Sequence, residues 1–477
     1  MRRLVLGVAV VSAWAALVSG STSAVAGVSS PAASARQTQT GTTPALRWHA
    51  CGLEGADCTS VPAPLDYEHP EGQKVTLAIS RLKATDPSRR IGVLFFNPGG
   101  PGNAAGPWIQ VLGKDMFPAR LRAKFDIIGM DPRGVGDSRP LVRCAEPTSD
   151  MDGGRYPRTR AQFDQLLAGN RDLAAGCLSE SGPLIRHMDT PTIAKDFDQV
   201  RSALGEEKVS LQFLSYGTQY AASYAQQFPH RVRAAVLDGP LDHSMGTESM
   251  VADGAAAAQD VFDRFVAWCR SDETCVLHGH DVKAEYNALL DRAPLPAQGS
   301  ADGVTAEQIG FGVYAQLIRQ SSWPQVAQQI ADASTDAAAF AAVGAQSAAY
   351  RVTTCQDMPS SGIGYREFES LLTTARLQGP DIRGFQETWD VAAGCLGWPI
   401  PAGNPWRPYH VAGTPPLLVV SGVHDPATPL AWGKATTSQI KGSRLLTWDD
   451  ATGHTAFLNS PKTLEREVDY LISGRTS

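Results

Sequence analysis

The chain has 477 residues, 43% hydrophobic and 19% charged, with a formal net charge of −6. That charge excludes a basic field for nucleic acid or acidic membrane surfaces, and the composition is that of an ordinary globular protein. The length exceeds the roughly 250–300 residues one hydrophobic core supports, so a core domain with a large insertion is expected.

Met1 to Val18 opens on Arg2-Arg3, continues as a short apolar run and leads to small residues, with Ala24-Val-Ala26 as a cleavage site. Residues 1–26 therefore read as a secretory signal peptide. The apolar run falls short of the ~20 residues a membrane span needs, and no cysteine follows it closely, so no membrane anchor is expected. Residues 27–44 read as a flexible leader or propeptide, with Ala33-Ser-Ala35 as a second processing point. Eight cysteines, all after residue 50, suit an oxidising, extracellular setting. Their spacing suggests local bridges: Cys51 with Cys58, Cys144 with Cys177, Cys269 with Cys275, and Cys355 with Cys395. No CxxC or clustered His–Cys spacing occurs, so no metal or cofactor is expected.

From residue 45 to 244 apolar runs alternate with helical patterns. Strands are predicted at Lys74–Ser80, Gly92–Phe96, Phe125–Gly129, Val209–Leu214 and Val232–Asp238, with a helix over Ala194–Leu204. The alternation predicts an α/β fold with a doubly wound, mostly parallel sheet. Residues 245–405 are Ala/Gln/Asp-rich, largely helical by pattern, and read as an inserted cap. Over 406–477 the chain returns to the core with strands at Pro416–Gly422 and Ser443–Trp448 and a final helix near Lys462–Ile472.

Three distant segments carry the chemistry: Phe213-Leu-Ser-Tyr-Gly217, Gly422-Val-His-Asp-Pro-Ala-Thr428 and Thr452-Gly-His-Thr455. Ser215 sits between a strand and a helix, Asp425 and His454 just after strands, and the order Ser, Asp, His is that of α/β-hydrolases. A serine hydroxyl is a weak nucleophile at neutral pH, so a histidine must take its proton and an acid must orient that histidine. The strand Ile91–Phe96 empties into Asn97-Pro-Gly-Gly-Pro-Gly102. There the N–H of Gly100 or Gly99, with that of Tyr216, is the candidate oxyanion hole. Asp131-Pro-Arg-Gly-Val-Gly-Asp-Ser138 lacks the pattern of a phosphate loop. Asp131 and Arg133 are read instead as ties for the turn beside the oxyanion loop.

These segments, with Leu237-Asp-Gly239, resemble the secreted actinobacterial tripeptidyl aminopeptidases, relatives of the prolyl iminopeptidases, from about residue 45 onward. The resemblance implies a serine peptidase releasing di- or tripeptides from free N-termini through an acyl-enzyme, with peptide substrates and no obligatory protein partner. Esterases and amidases acting on small acyl compounds or natural products are the alternative. A binding protein without catalysis is a third reading, raised only by Phe213. Phe213 stands where the elbow pattern has glycine, so a neighbour must make room for its ring. Asn103 stands where relatives often have a further glycine. A free N-terminus needs an anionic partner in the cap, where Asp357, Glu367, Glu369, Asp381, Glu387 and Asp390 are candidates. Asp357 is favoured, because a Cys355–Cys395 bridge would fix it and relatives carry a similar Cys-x-Asp.

Overall fold

The computed structural model describes residues 46–52, 55–145, 154–341 and 346–476. The signal-peptide and leader readings lie outside the described residues. In chain order the strands of the main sheet are β1 (His49–Ala50), β2 (Ala56–Pro64), β3 (Lys74–Leu82), β4 (Gly92–Asn97), β5 (Phe125–Met130), β6 (Val209–Leu214) and β7 (Val232–Asp238). A small hairpin, β8 (Leu295–Ala297) with β9 (Ser300–Val304), stands apart, and β10 (Leu418–Gly422) and β11 (Arg444–Trp448) complete the main sheet.

The sheet order is β1-β2-β3-β5-β4-β6-β7-β10-β11. Strands β1, β2 and β3 pair antiparallel at one edge, and from β5 onward every pairing is parallel. Every residue of β4, β6 and β10 is buried, as a parallel sheet covered on both faces requires. The chain leaves β4 for β5 on one side and later adds β6 on the other, so a topological switch point lies between β4 and β6. Ligands of open α/β sheets bind outside the strands' carboxyl ends at such a point.

The principal helices are α1 (Arg160–Ser181), α2 (Thr190–Ala203) and α3 (Gly217–Gln227), then α4 (Thr247–Ser271), α5 (Val282–Arg292), α6 (Ala306–Leu317), α7 (Trp323–Asp332), α8 (Ala348–Asp357), α9 (Tyr365–Gln378) and α10 (Glu387–Gly394) between β7 and β10. The last are α11 (Leu430–Gln439), α12 (Ala456–Asn459) and α13 (Pro461–Ser473). The segment from α4 to α10 divides by packing. Val261, Phe265, Tyr286, Val313 and Trp323 belong to a hydrophobic cluster of that segment's own. Tyr350, Val352, Leu371 and Trp389 instead join the core beneath the sheet.

The bridges Cys51–Cys58, Cys144–Cys177, Cys269–Cys275 and Cys355–Cys395 are all present, and no free cysteine remains among the described residues. Among them, too, no helix is long and apolar enough to cross a membrane.

Asp131 accepts the N–H groups of Gly106 and Asp137, each at 2.8 Å, which ties its turn to the segment after the glycine loop. Arg133 does not join it there. It reaches instead toward α2, where it forms a buried bidentate pair with Asp196 and donates to the carbonyls of Pro64 and Leu65.

Candidate active site

Strand β6 ends at Leu214 and α3 begins at Gly217, so the chain must reverse within two residues. Ser215 takes the strain with φ of 54°, a left-handed conformation rare for a non-glycine residue and common where a site holds a side chain exposed on a turn. Its N–H donates to the Asp238 carbonyl at 2.8 Å. A Cβ at Gly217 would lie 2.5 Å from Asn97 Oδ1, so only glycine lets the helix start here.

Phe213 is fully buried, and its ring packs against Phe197 of α2 with centroids 4.9 Å apart. The ring that replaces glycine thus packs against another aromatic ring, that of Phe197.

The loop after β4 presses on this turn. Gly99 has φ of +87°, and a Cβ there would stand 2.6 Å from the Leu214 carbonyl and 3.0 Å from Tyr216 N. The Gly99 N–H is taken up by Asn97 Oδ1 at 3.0 Å. Of the two glycines read as oxyanion donors, Gly100 is thus the one left to face the cavity with Tyr216.

Asp425 follows β10 and is buried. Its carboxylate accepts N–H groups from Ala427 (2.9 Å) and Thr428 (2.8 Å) and the Thr428 hydroxyl (3.0 Å), and both oxygens lie 2.9 Å from His454 Nδ1. His454 follows β11, with Nε2 buried and unpartnered. Burial disfavours its charged form. The charge and hydrogen bond of Asp425 outweigh that, with Asp238 and Glu387 adding to them, and raise the imidazole above its ordinary range. No hydrogen bond joins Ser215 to Nε2 here, and such bonds often tighten only with substrate bound.

A small cavity of about 30 Å³ opens on Ser215. Gly100, Pro101 and Tyr216 form one side, Leu241, Met250, Met358, Val391 and Trp432 an apolar wall, and Thr428 the side toward Asp425. Glu387, at the start of α10, supplies a carboxylate on the same wall. One of its oxygens accepts the Tyr350 hydroxyl at 2.9 Å. Burial raises its pKa, against the Tyr350 bond and the nearby His454.

Asp357 does not line this cavity. It lies behind Tyr216, bonded to the Tyr216 hydroxyl and to the N–H and hydroxyl of Thr190. Burial, then the charge of Asp189, pushes it up to about 7 against those bonds. Its oxygens are engaged with protein donors, so of the cap acids offered by the sequence it is Glu387 that lines the cavity, an acid the sequence offers without preference over its neighbours. Sequence also gave no role to Asn97, Asp238 or the Ile318–Gln320 segment. Only the first two fall in quoted motifs.

Sheet, switch point and strained serine turn together define an α/β-hydrolase, and the α/β hydrolase fold family model matches residues 92–461. The chain belongs to that family. It is similar to the serine protease Hip1 of Mycobacterium tuberculosis, 30% identical over 88% of this chain and 86% of that protein. It is similar also to the tripeptidyl aminopeptidase of Streptomyces lividans, 30% identical over 90% and 85% of the two chains. Carboxylesterase B of Mycobacterium tuberculosis is 27% identical over 90% and 88%. The chain is a serine hydrolase of the actinobacterial, aminopeptidase-like branch of the fold.

Proposed function

We propose that the chain is a secreted peptidase that releases short peptides from free N-termini, with Ser215 as nucleophile, His454 as base and Asp425 as orienting acid. The observation that carries this reading is Glu387, a carboxylate on the wall of the cavity that opens on Ser215. A substrate's terminal ammonium loses its water on entering so apolar a cavity and needs an anion there. An uncharged acyl ester has no such need.

In this reading Ser215 Oγ attacks the scissile carbonyl while His454 Nε2 takes its proton and returns it to the leaving amine. Asp425 holds the proton on Nδ1 and offsets the imidazolium charge. The N–H groups of Gly100 and Tyr216 receive the oxyanion. Water then releases the acyl group by the same steps in reverse roles. The helical segment over 245–405 serves as the cap that supplies Glu387 and, through Met250, Met358 and Val391, part of the apolar wall. The four disulfides and the leader sequence support work outside the cell. The esterase or amidase reading is supported by the apolar wall and by the name of the relative carboxylesterase B.

A fluorophosphonate probe should label Ser215, located by mass spectrometry, and Ser215→Ala should lose both label and turnover. Peptide p-nitroanilides with a free amine should be cleaved and their N-acetylated forms resisted, with Glu387→Gln raising KM for the free-amine series. Equal cleavage of blocked and free substrates, or turnover of short p-nitrophenyl esters alone, would overturn the peptidase assignment.

A further inference from the structure

We infer that Asp238 is a positioning residue that fixes the distance between nucleophile and base, an inference that rests on the assignment of Ser215 and His454 proposed above. Asp238 is the last residue of β7 and fully buried. Its backbone carbonyl accepts the Ser215 N–H at 2.8 Å. Its carboxylate accepts the N–H of Ala456 at 2.9 Å through one oxygen and that of Phe457 at 2.8 Å through the other. Those are the second and third residues after His454, and they follow Thr455, which the loop forces to φ of 65°. One residue thus grips the backbone on both sides of the reaction.

Its neighbour completes the arrangement. Gly239 has φ of +67°, and a Cβ there would stand 2.9 Å from His454 Cε1 and 3.1 Å from Thr428 Oγ1. The Gly239 N–H donates to the Val420 carbonyl of β10 at 2.9 Å, the strand that leads to Asp425. The imidazole therefore rests on the peptide that follows Asp238, and a shift of that peptide moves His454 relative to Ser215.

The groups around Asp238 explain how a charge survives there. Glu467 of α13 approaches from below, with one oxygen accepting Gln212 Nε2 of β6 at 3.1 Å and the other unpartnered. Burial, and then the charge of Asp238, keeps Glu467 protonated well above the ordinary carboxylate range. Burial raises Asp238 too, to about 7, but two backbone N–H groups oppose the shift, and Asp425 and His454 act on it with opposite signs. With two backbone N–H groups on the oxygens of Asp238 and a single side-chain amide on those of Glu467, Asp238 is the better seat for negative charge, and its charge favours the imidazolium of His454.

Two variants test the role. Asp238→Asn keeps the shape but turns an NH₂ toward one of the two N–H donors. Ala456→Pro puts a ring carbon in place of the N–H that one Asp238 oxygen accepts, at a first helical position where proline is tolerated. Both should lower kcat by about 10- to 100-fold, the scale of a misplacement near 1 Å, with KM within about twofold. Fluorophosphonate labelling of Ser215 should slow by the same factor. Asp238→Asn should also move the acid limb of the kcat profile to lower pH, since the negative charge that stabilises the imidazolium is gone.

A purely structural Asp238 would lower the melting temperature and leave kcat per folded molecule and the acid limb in place. That result in either folded variant overturns the inference. If wild-type Ser215 takes no label, the failure lies with the nucleophile assignment and not with Asp238.

Discussion

Where Ser215 is held by crowding at the ends of neighbouring strands, His454 is held by hydrogen bonds from distant parts of the chain. The serine turn is squeezed between Gly99, Asn97 and Gly217, and its side-chain bond is a short-range one, from the Thr218 hydroxyl to the Ser215 carbonyl at 2.6 Å. The histidine loop gives its own N–H to the Ile318 carbonyl at 2.8 Å, the Thr452 N–H to Gln320 Oε1 at 3.0 Å and the Gly453 N–H to the His424 carbonyl at 3.1 Å. Ile318 and Gln320 lie in the helical segment between β7 and β10. That segment also reaches the acid's neighbour, where Asp260 of α4 lies 2.8 Å from His424 Nδ1. In the proposed assignment the nucleophile is thus placed by the sheet, whereas the loop that carries the base is bonded to the insertion.

The largest effect should come from the acid. Asp425→Asn should reduce kcat about 10⁴-fold, because the amide no longer selects the tautomer that leaves Nε2 free to accept a proton. Steady-state kinetics beside unchanged far-UV circular dichroism would check it, and a loss under tenfold would exclude Asp425 as the orienting acid. Next is the serine side. Gly99→Ala places a methyl 2.6 Å from the Leu214 carbonyl in a conformation L residues rarely adopt, so the loop must move off the turn. Turnover should fall by at least about 10²-fold, as when an oxyanion donor is removed. Normal turnover in a folded Gly99→Ala protein would show that this loop is not the oxyanion hole.

The same contrast explains what sequence could reveal. The strands Val209–Leu214 and Val232–Asp238 are continuous apolar runs, and their predicted bounds are those of β6 and β7. Strand β2, next to the edge, is not legible, since Pro62 and Pro64 interrupt its pattern. Ser215 and Gly99 lie in short motifs because the tight turns they make demand particular residue types, although Gly99 meets Leu214 and Ser215 meets Asp238 only in the fold. Gln320 lies in no motif, for its partner Thr452 is brought to it only by the fold. Asp357 was favoured over Glu387 because a disulfide next to it is visible in sequence. Which of the two acids Tyr216 and Thr190 engage is not.

Phe213 sharpens the serine half of the comparison through stability. Its ring lies fully buried against Phe197, so Phe213→Gly should cost about 3–5 kcal/mol, read from urea unfolding, as other large-to-small aromatic changes do. Turnover per folded molecule should hardly change, because the strain at Ser215 is set by Gly99, Asn97 and Gly217. A more active variant of unchanged stability would mean that the ring distorts the turn.

The smallest effect is expected on the histidine side, and it decides whether the insertion controls the base. Gln320 is exposed, and its contact with the loop is the bond from Thr452 N–H, two residues before His454. Gln320→Ala removes that bond and leaves the backbone bond between Ile318 and His454 intact. Stability should therefore fall by no more than about 1 kcal/mol, the net worth of one ordinary hydrogen bond. The loop would keep its backbone pairing with Ile318 and Arg319 but lose the side-chain anchor at Thr452, so His454 would sample a wider range, and kcat should drop about three- to tenfold with KM unchanged. If the core alone positioned the base, kcat would stay at the wild-type value while thermal stability fell slightly. Measuring kcat on a free-amine peptide anilide beside the melting temperature of the same preparation separates the two cases, and an unchanged kcat would return control of the base to the sheet.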